Sequence, residues 1–193
     1  MSRPRKDAPL RSDAQRNRER ILEVATAELT RCADAPLSSI ARKAGVGQGT
    51  FYRNFPHREA LVLEVYRYEM QQVARAASTL LGTREPGEAL REWMDRLARF
   101  AMTKAGLADA IRLVTSAPGG PDKPGPTPVM EAAGLLLRAN EEAGTIRPGV
   151  SEDDFFLAIA GLWQIGQGED WQPRAARLLD LVMDGLRAGA PGR

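Results

Sequence analysis

The chain contains one cysteine, Cys32, and one histidine, His57, in 193 residues. A lone cysteine excludes an internal disulfide framework and a Cys-rich zinc site. A lone histidine removes most imidazole-based metal sites. Neither residue has a nucleophile–base constellation near it in sequence, so enzymatic chemistry of the Ser–His or Cys–His type is not expected. The acidic pair Asp153-Asp154 sits in a helix-start pattern rather than a catalytic one. No apolar run approaches the ~20 residues of a membrane span. The opening MSRPRKDAPLRSD is basic and lacks the apolar segment of a secretory signal. These absences predict a soluble, cytoplasmic protein with no metal, no cofactor and no membrane partner.

What is present is the balance of an ordinary globular protein: 43% hydrophobic and 27% charged residues, which excludes disorder and collagen-like repeats. The length suffices for a sizeable core. The net charge of +2 hides an asymmetry, because residues 1–58 carry twelve Lys/Arg against six Asp/Glu while the remainder is acidic. A basic head for a polyanion and a chance clustering on a solvated face both fit this split. Arginine outnumbers lysine 23 to 4, which fits a high-GC genome and says nothing of function.

Every assignable segment reads as helix, about nine in all, with no strand pattern. Ser12 and Gln15 have capping-box spacing, and Ile21, Leu22, Ala25 and Leu29 follow at helical intervals, predicting a first helix over about 13–31. Short helices follow at about 38–44 and 48–54, separated by Gly45-Val46-Gly47. An uninterrupted stretch from Arg58 to Leu81 predicts one long helix. Further helices are expected at 86–104, at 107–116, from Thr127-Pro128 to Gly144, at about 152–166 and at 173–187. Ala117–Pro128 holds five prolines and three glycines and reads as a mobile loop. Ser151 to Asp154 has capping-box spacing, with Val150 and Phe155 as a hydrophobic staple.

The informative stretch is LSSIARKAGVGQGTFYRNF, residues 37–55. Ala41 is small enough for two helices to cross, Gly45 tolerates a turn with positive φ, and Ile40, Ala44, Val46, Phe51 and Phe55 supply an apolar lock. Gln48, Thr50, Tyr52, Arg53 and Asn54 remain as a polar face suited to a major groove. The alternative is a solvated hairpin inside a bundle.

Residues 40–61, IARKAGVGQGTFYRNFPHREAL, resemble the TetR family of bacterial transcriptional regulators. The resemblance implies an all-α fold: a three-helix helix-turn-helix head over 1–57 and a helical ligand-binding and dimerisation body over 58–193. It implies that Gln48, Gly49, Thr50, Arg53 and Asn54 meet base edges or nearby phosphates and that Tyr52 contacts a phosphate. Arg58 stands where the family's long linker helix opens with a phosphate-contacting lysine. The family's threonine before the second helix is replaced by Pro36-Leu37, which leaves Ser38 or Ser39 to supply that contact. His57 reads as a helix cap rather than a pH sensor. The arm with Arg3, Arg5 and Lys6 fits a minor groove or a solvated tail equally.

In the body, residues 144–162 resemble members with an SbtR-like C-terminal half. Trp93, Met94, Leu97, Phe100, Ile111 and Val114 line a candidate ligand cavity or form ordinary core. The 152–166 segment is apolar nearly all round, which demands burial on all sides. A four-helix bundle with a second copy would supply it, with Ala160, Trp163, Leu178 and Val182 at the interface. The sequence thus predicts a homodimeric, ligand-responsive repressor that binds a palindromic double-stranded DNA operator. The rivals are a helical protein-interaction module without DNA binding and, last, an enzyme.

Overall fold

The computed structural model describes residues 7–32, 34–116, 127–166 and 170–192, with side chains for 15–32, 34–102, 128–166 and 170–192. Among them it holds eight α-helices, one 3-10 turn and no strand. The order is α1 (Asp7–Arg31), α2 (Leu37–Lys43), α3 (Gln48–Asn54), α4 (Arg58–Leu81), α5 (Pro86–Ser116), α6 (Thr127–Glu142), α7 (Glu152–Ala158), the 3-10 turn (Ala160–Gln164) and α8 (Trp171–Arg187). The all-α architecture and the positions of α3 and α4 match the sequence pattern. The predicted loop after residue 116 lies, up to residue 126, outside the described residues, as does the arm with Arg3, Arg5 and Lys6.

Three boundaries differ from expectation by more than two residues. The first helix starts at Asp7, not after Ser12, because Asp7 and Pro9 suit a first turn, where the missing proline N–H is not needed. The helices expected at 86–104 and 107–116 are one, α5. A single Gly106 costs a helix only about 1 kcal/mol and does not end it. The helix expected at 152–166 breaks at Ile159 (φ −90°, ψ 2°). Beyond it the chain tightens into i→i+3 bonding, with Leu162 N–H donating to Ile159 O at 2.9 Å. The premise of one long helix apolar on every side therefore fails.

The described residues pack as two compact units, one within 1–68 and 106–120, the other within 69–105 and 121–193. In the first, Ile21, Leu22, Ala25 and Leu29 of α1 share a buried core with Ile40, Ala41, Ala44, Phe51, Phe55, Leu61, Val62 and Val65. In the second, Leu90, Trp93, Met94 and Leu97 of α5 are buried, as are Leu136 and Leu137 of α6 and Phe155, Leu179 and Met183. The Trp93 indole N–H donates to Val73 O at 2.8 Å, which satisfies its one polar atom. Asn140, wholly buried, donates to Pro86 O at 2.8 Å and Leu136 O at 2.9 Å and accepts from the Thr145 hydroxyl at 2.7 Å. Each bond meets a polar atom that would otherwise be stranded.

Candidate nucleic-acid interface

The connection between α2 and α3 is fixed by its backbone. Gly45 lies at φ +66°, its N–H donates to Arg42 O at 3.1 Å, and Val46 N–H donates to Ala41 O at 3.1 Å. These are the paired bonds of a Schellman ending, and the left-handed residue they require favours glycine. A Cβ on Gly45 would meet nothing within 4 Å, so the glycine is there for its φ and not for space. The turn then runs through Val46 to Gly47, the extended residue preceding α3.

With the turn set, Phe51 points inward, wholly buried against Phe55 at a ring separation of 5.6 Å. Because Phe51 fixes one face of a seven-residue helix, Gln48, Gly49, Thr50, Tyr52, Arg53 and Asn54 are all left exposed on the rest. Tyr52 is 41% exposed. Asn54 Nδ2 donates to Thr50 O at 2.8 Å, and Arg53 Nε and Nη2 donate to Gly49 O and Thr50 Oγ1, each at 3.2 Å. The outer side chains are thus gathered on one helix. Ser38, Ser39 and Gln48 meet in a concavity of about 790 Å³ that Pro36, Arg42, Gly45, Val46 and Gly47 also line.

Several cations of the first unit hold its fold. Arg18 Nη2 lies 2.5 Å from Glu64 Oε2, and its guanidinium stacks 5.1 Å from the Phe55 ring centre. Arg20 Nε donates to Ala44 O at 2.9 Å, at the end of α2. Lys43 and Arg31 flank Glu28 at 2.6 and 3.0 Å and hold its carboxyl below the usual carboxylate range. Burial pushes the Glu64 carboxyl up, but Arg67 and Arg18 outweigh it and the net shift is downward. Arg58 Nη2 donates to Ala35 O at 2.5 Å, so this residue, expected on a phosphate, also ties the start of α4 to the approach to α2. His57 acts as the expected cap: its Nδ1 lies 3.2 Å from Ala60 N, in place to accept the third amide of α4.

The TetR-type model of bacterial regulatory proteins matches residues 21–65, and that of the SbtR-like C-terminal domain of transcriptional regulators matches 85–188. The solved structure of the TetR transcriptional regulator SCO0520 from Streptomyces coelicolor is 42% identical, over 88% of this chain and 98% of that one, with a TM-score of 0.80. This chain belongs to the TetR family of transcriptional regulators. A TetR regulator from Mycobacterium vanbaalenii is similar at 36% identity, covering 93% of this chain and 99% of that one, with a TM-score of 0.71. No curated protein matches significantly. The first TetR match spans the helix-turn-helix, and the second contains residues 144–162, where the SbtR-like resemblance was read.

In the body of this TetR regulator, Trp93, Met94 and Leu97 are buried to within 1% and Phe100 to 7%. Phe100 borders a concavity of about 290 Å³ with Glu69, Gln72, Val73, Arg96 and Arg99. The side chains of Ile111 and Val114 lie outside the described residues. Ala160 is exposed, Trp163 is 40% exposed, and Leu178 and Val182 are half-buried. Leu157 and Leu181, not among the residues expected at the interface, stand out further at 74% and 70%. On α8 the stripe Ala175, Leu179, Met183, Leu186 is buried, while Leu178, Leu181 and Val182 form a second stripe about one residue's rotation away. A close reading of i, i+3, i+4 spacing would have found it.

No helix among the described residues is long and apolar enough to cross a membrane. Nor do the described His, Cys, Asp and Glu side chains cluster in threes as a metal site would need.

Proposed function

We propose that the protein is a homodimeric repressor whose head, residues 1–57, lays α3 in the major groove of a palindromic operator. Residues 58–193 would carry the small-molecule site and the dimer interface. The observation that carries the reading is the two-faced α3: one wholly buried phenylalanine and six exposed residues, five with hydrogen-bonding side chains. Such a helix reads base edges with its free face and takes its position from phosphate contacts at its margins. The exposed Leu157, Trp163 and Leu181, with the half-buried Leu178 and Val182, support a second copy, because monomers rarely leave such apolar surface in water. The concavity of about 290 Å³ that Phe100 borders with Glu69, Gln72, Val73, Arg96 and Arg99 supports a ligand site in the body. A ligand preferring a different separation of the two heads would release DNA by population shift. The reading places the protein on the bacterial nucleoid in the cytoplasm, without catalysis or cofactor.

Selection of duplexes from a random 30-bp library tests the head. The unmutated protein is expected to enrich one palindromic sequence. Gln48→Ala is expected to change which sequence is enriched, and Tyr52→Phe to weaken binding to all sequences alike. A variant pair that leaves both preference and affinity unchanged would remove α3 as the reader.

A further inference from the structure

Among the described side chains of residues 15–58, most of the positive charge is committed within the first unit. Arg18, Arg20, Arg31, Lys43 and Arg58 each bind a carboxylate or a carbonyl of the same unit. Arg53 is folded back on Gly49 and Thr50 of its own helix. Arg42 differs: it is exposed, and no ion pair or side-chain hydrogen bond engages it among the described residues. Its main chain is fully used, since Arg42 O accepts from Gly45 N–H in the turn, so its Cα is held rigidly. The side chain lines the concavity shared by Ser38, Ser39 and Gln48. Ser38 and Ser39 precede Arg42 by four and three residues, which places all three on one face of α2. Residues bearing two hydroxyls and a guanidinium line one open hollow, a set whose chemistry matches a single phosphate, for which the planar fork of arginine is suited.

We propose that Arg42 is a phosphate anchor that seats one backbone phosphate of duplex DNA beside Ser38 and Ser39 and so sets the register of α3 in the groove. The proposal rests on the DNA-binding reading above. Arg42 carries the charge, the serines fix the phosphate oxygens, and Gln48, on the far wall of the same hollow, begins the base-reading face. This division separates affinity from sequence preference: losing Arg42 weakens all sequences alike, and losing Gln48 does not.

The test uses the full-length protein, the duplex it enriches from the random library, and a mixed-sequence duplex of equal length. Affinity is measured at several salt concentrations for the unmutated protein, Arg42→Ala, Arg42→Lys and Ser38→Ala/Ser39→Ala. Arg42→Ala is expected to lose affinity for both duplexes, and its plot of log affinity against log salt to become shallower by about 0.9 for each head bound. Arg42→Lys is expected to restore the slope, and the double serine variant to weaken binding with the slope intact. Circular dichroism melts of Arg42→Ala are expected to overlay those of the unmutated protein, as Arg42 is exposed. An unchanged slope in Arg42→Ala, or a change in its preferred sequence, would overturn the proposal alone. Failure of the unmutated protein to enrich any sequence would overturn the DNA-binding reading and this proposal with it.

Discussion

The head and the body dispose of their apolar residues differently. In the first unit, Tyr52 is the one large hydrophobic exposed among the described side chains, and its ring carries a hydroxyl. In the second, Leu135, Leu157, Trp163 and Leu181 are all exposed. The head is apolar-satisfied within one chain and turns a polar, cationic surface outward, as suits a partner that is itself charged and hydrated. The body ends in a face that water covers poorly, as suits a partner of the same composition. One chain thus carries two kinds of unfinished surface, one wanting charge neutralisation and the other wanting burial.

Breaking the head from inside has the largest expected effect. Phe51→Ala removes a wholly buried ring from under α3 and should cost about 3–5 kcal/mol. Calorimetry should show melting lowered by roughly 10 °C or more, and DNA binding should disappear because α3 has no other anchor in the core. Breaking the body from outside should do the opposite to stability. Leu181→Glu alters a side chain that is 70% exposed, so the subunit should stay folded. Sedimentation velocity should show the species of twice 21.1 kDa replaced by monomer. Operator affinity should fall roughly 100-fold or more as the two heads lose their linkage. A Leu181→Glu protein that remains dimeric would place the interface elsewhere.

The smallest effect sharpens the comparison from the electrostatic side. Glu64 joins α4 to α1 through Arg18 and has a carboxyl pKa lowered in the folded head. A carboxyl with a lowered folded pKa contributes stability above its unfolded value, and the contribution is lost as pH falls through the folded one. Glu64→Gln should therefore destabilise the head by about 1 kcal/mol at pH 7, the pair being partly exposed. In chemical denaturation the difference should fade as pH drops below about 4.3.

The same contrast explains what the sequence reveals. The bounds of α3 and α4 were legible because Gly47, Pro56, His57 and Gly82 mark them locally. The turn was legible because Gly45 has a conformation few other residues adopt. The exposed face of α3 followed from the single inward phenylalanine. Boundaries without such markers were misjudged: the break expected between 104 and 107 is carried through in α5, and nothing in the apolar run 155–165 signals the break at Ile159. Arg42 escaped notice because its distinction is relational. In sequence it is one of twelve basic residues, and only the structure shows that Arg18, Arg20, Arg31, Lys43, Arg53 and Arg58 are engaged. Leu181 escaped for a different reason: its i, i+3, i+4 relation to Leu178 and Val182 was legible, but the buried stripe of Ala175, Leu179 and Leu186 drew the reading.

His57 gives the head its own observer. It is the chain's one histidine, and its ring sits at the junction of α3 and α4. Its Nδ1 faces both the Ala60 amide and, at 3.0 Å, the Glu59 carboxylate. A bare Nδ1 receives the amide, whereas a protonated one gives its hydrogen to the carboxylate and releases the amide, so the two contacts exclude each other. The ring's nitrogen resonances are a label unique in the spectrum, since the chain has one histidine. The label sits one residue from Arg58 and three from Asn54, where a bound duplex would change its surroundings.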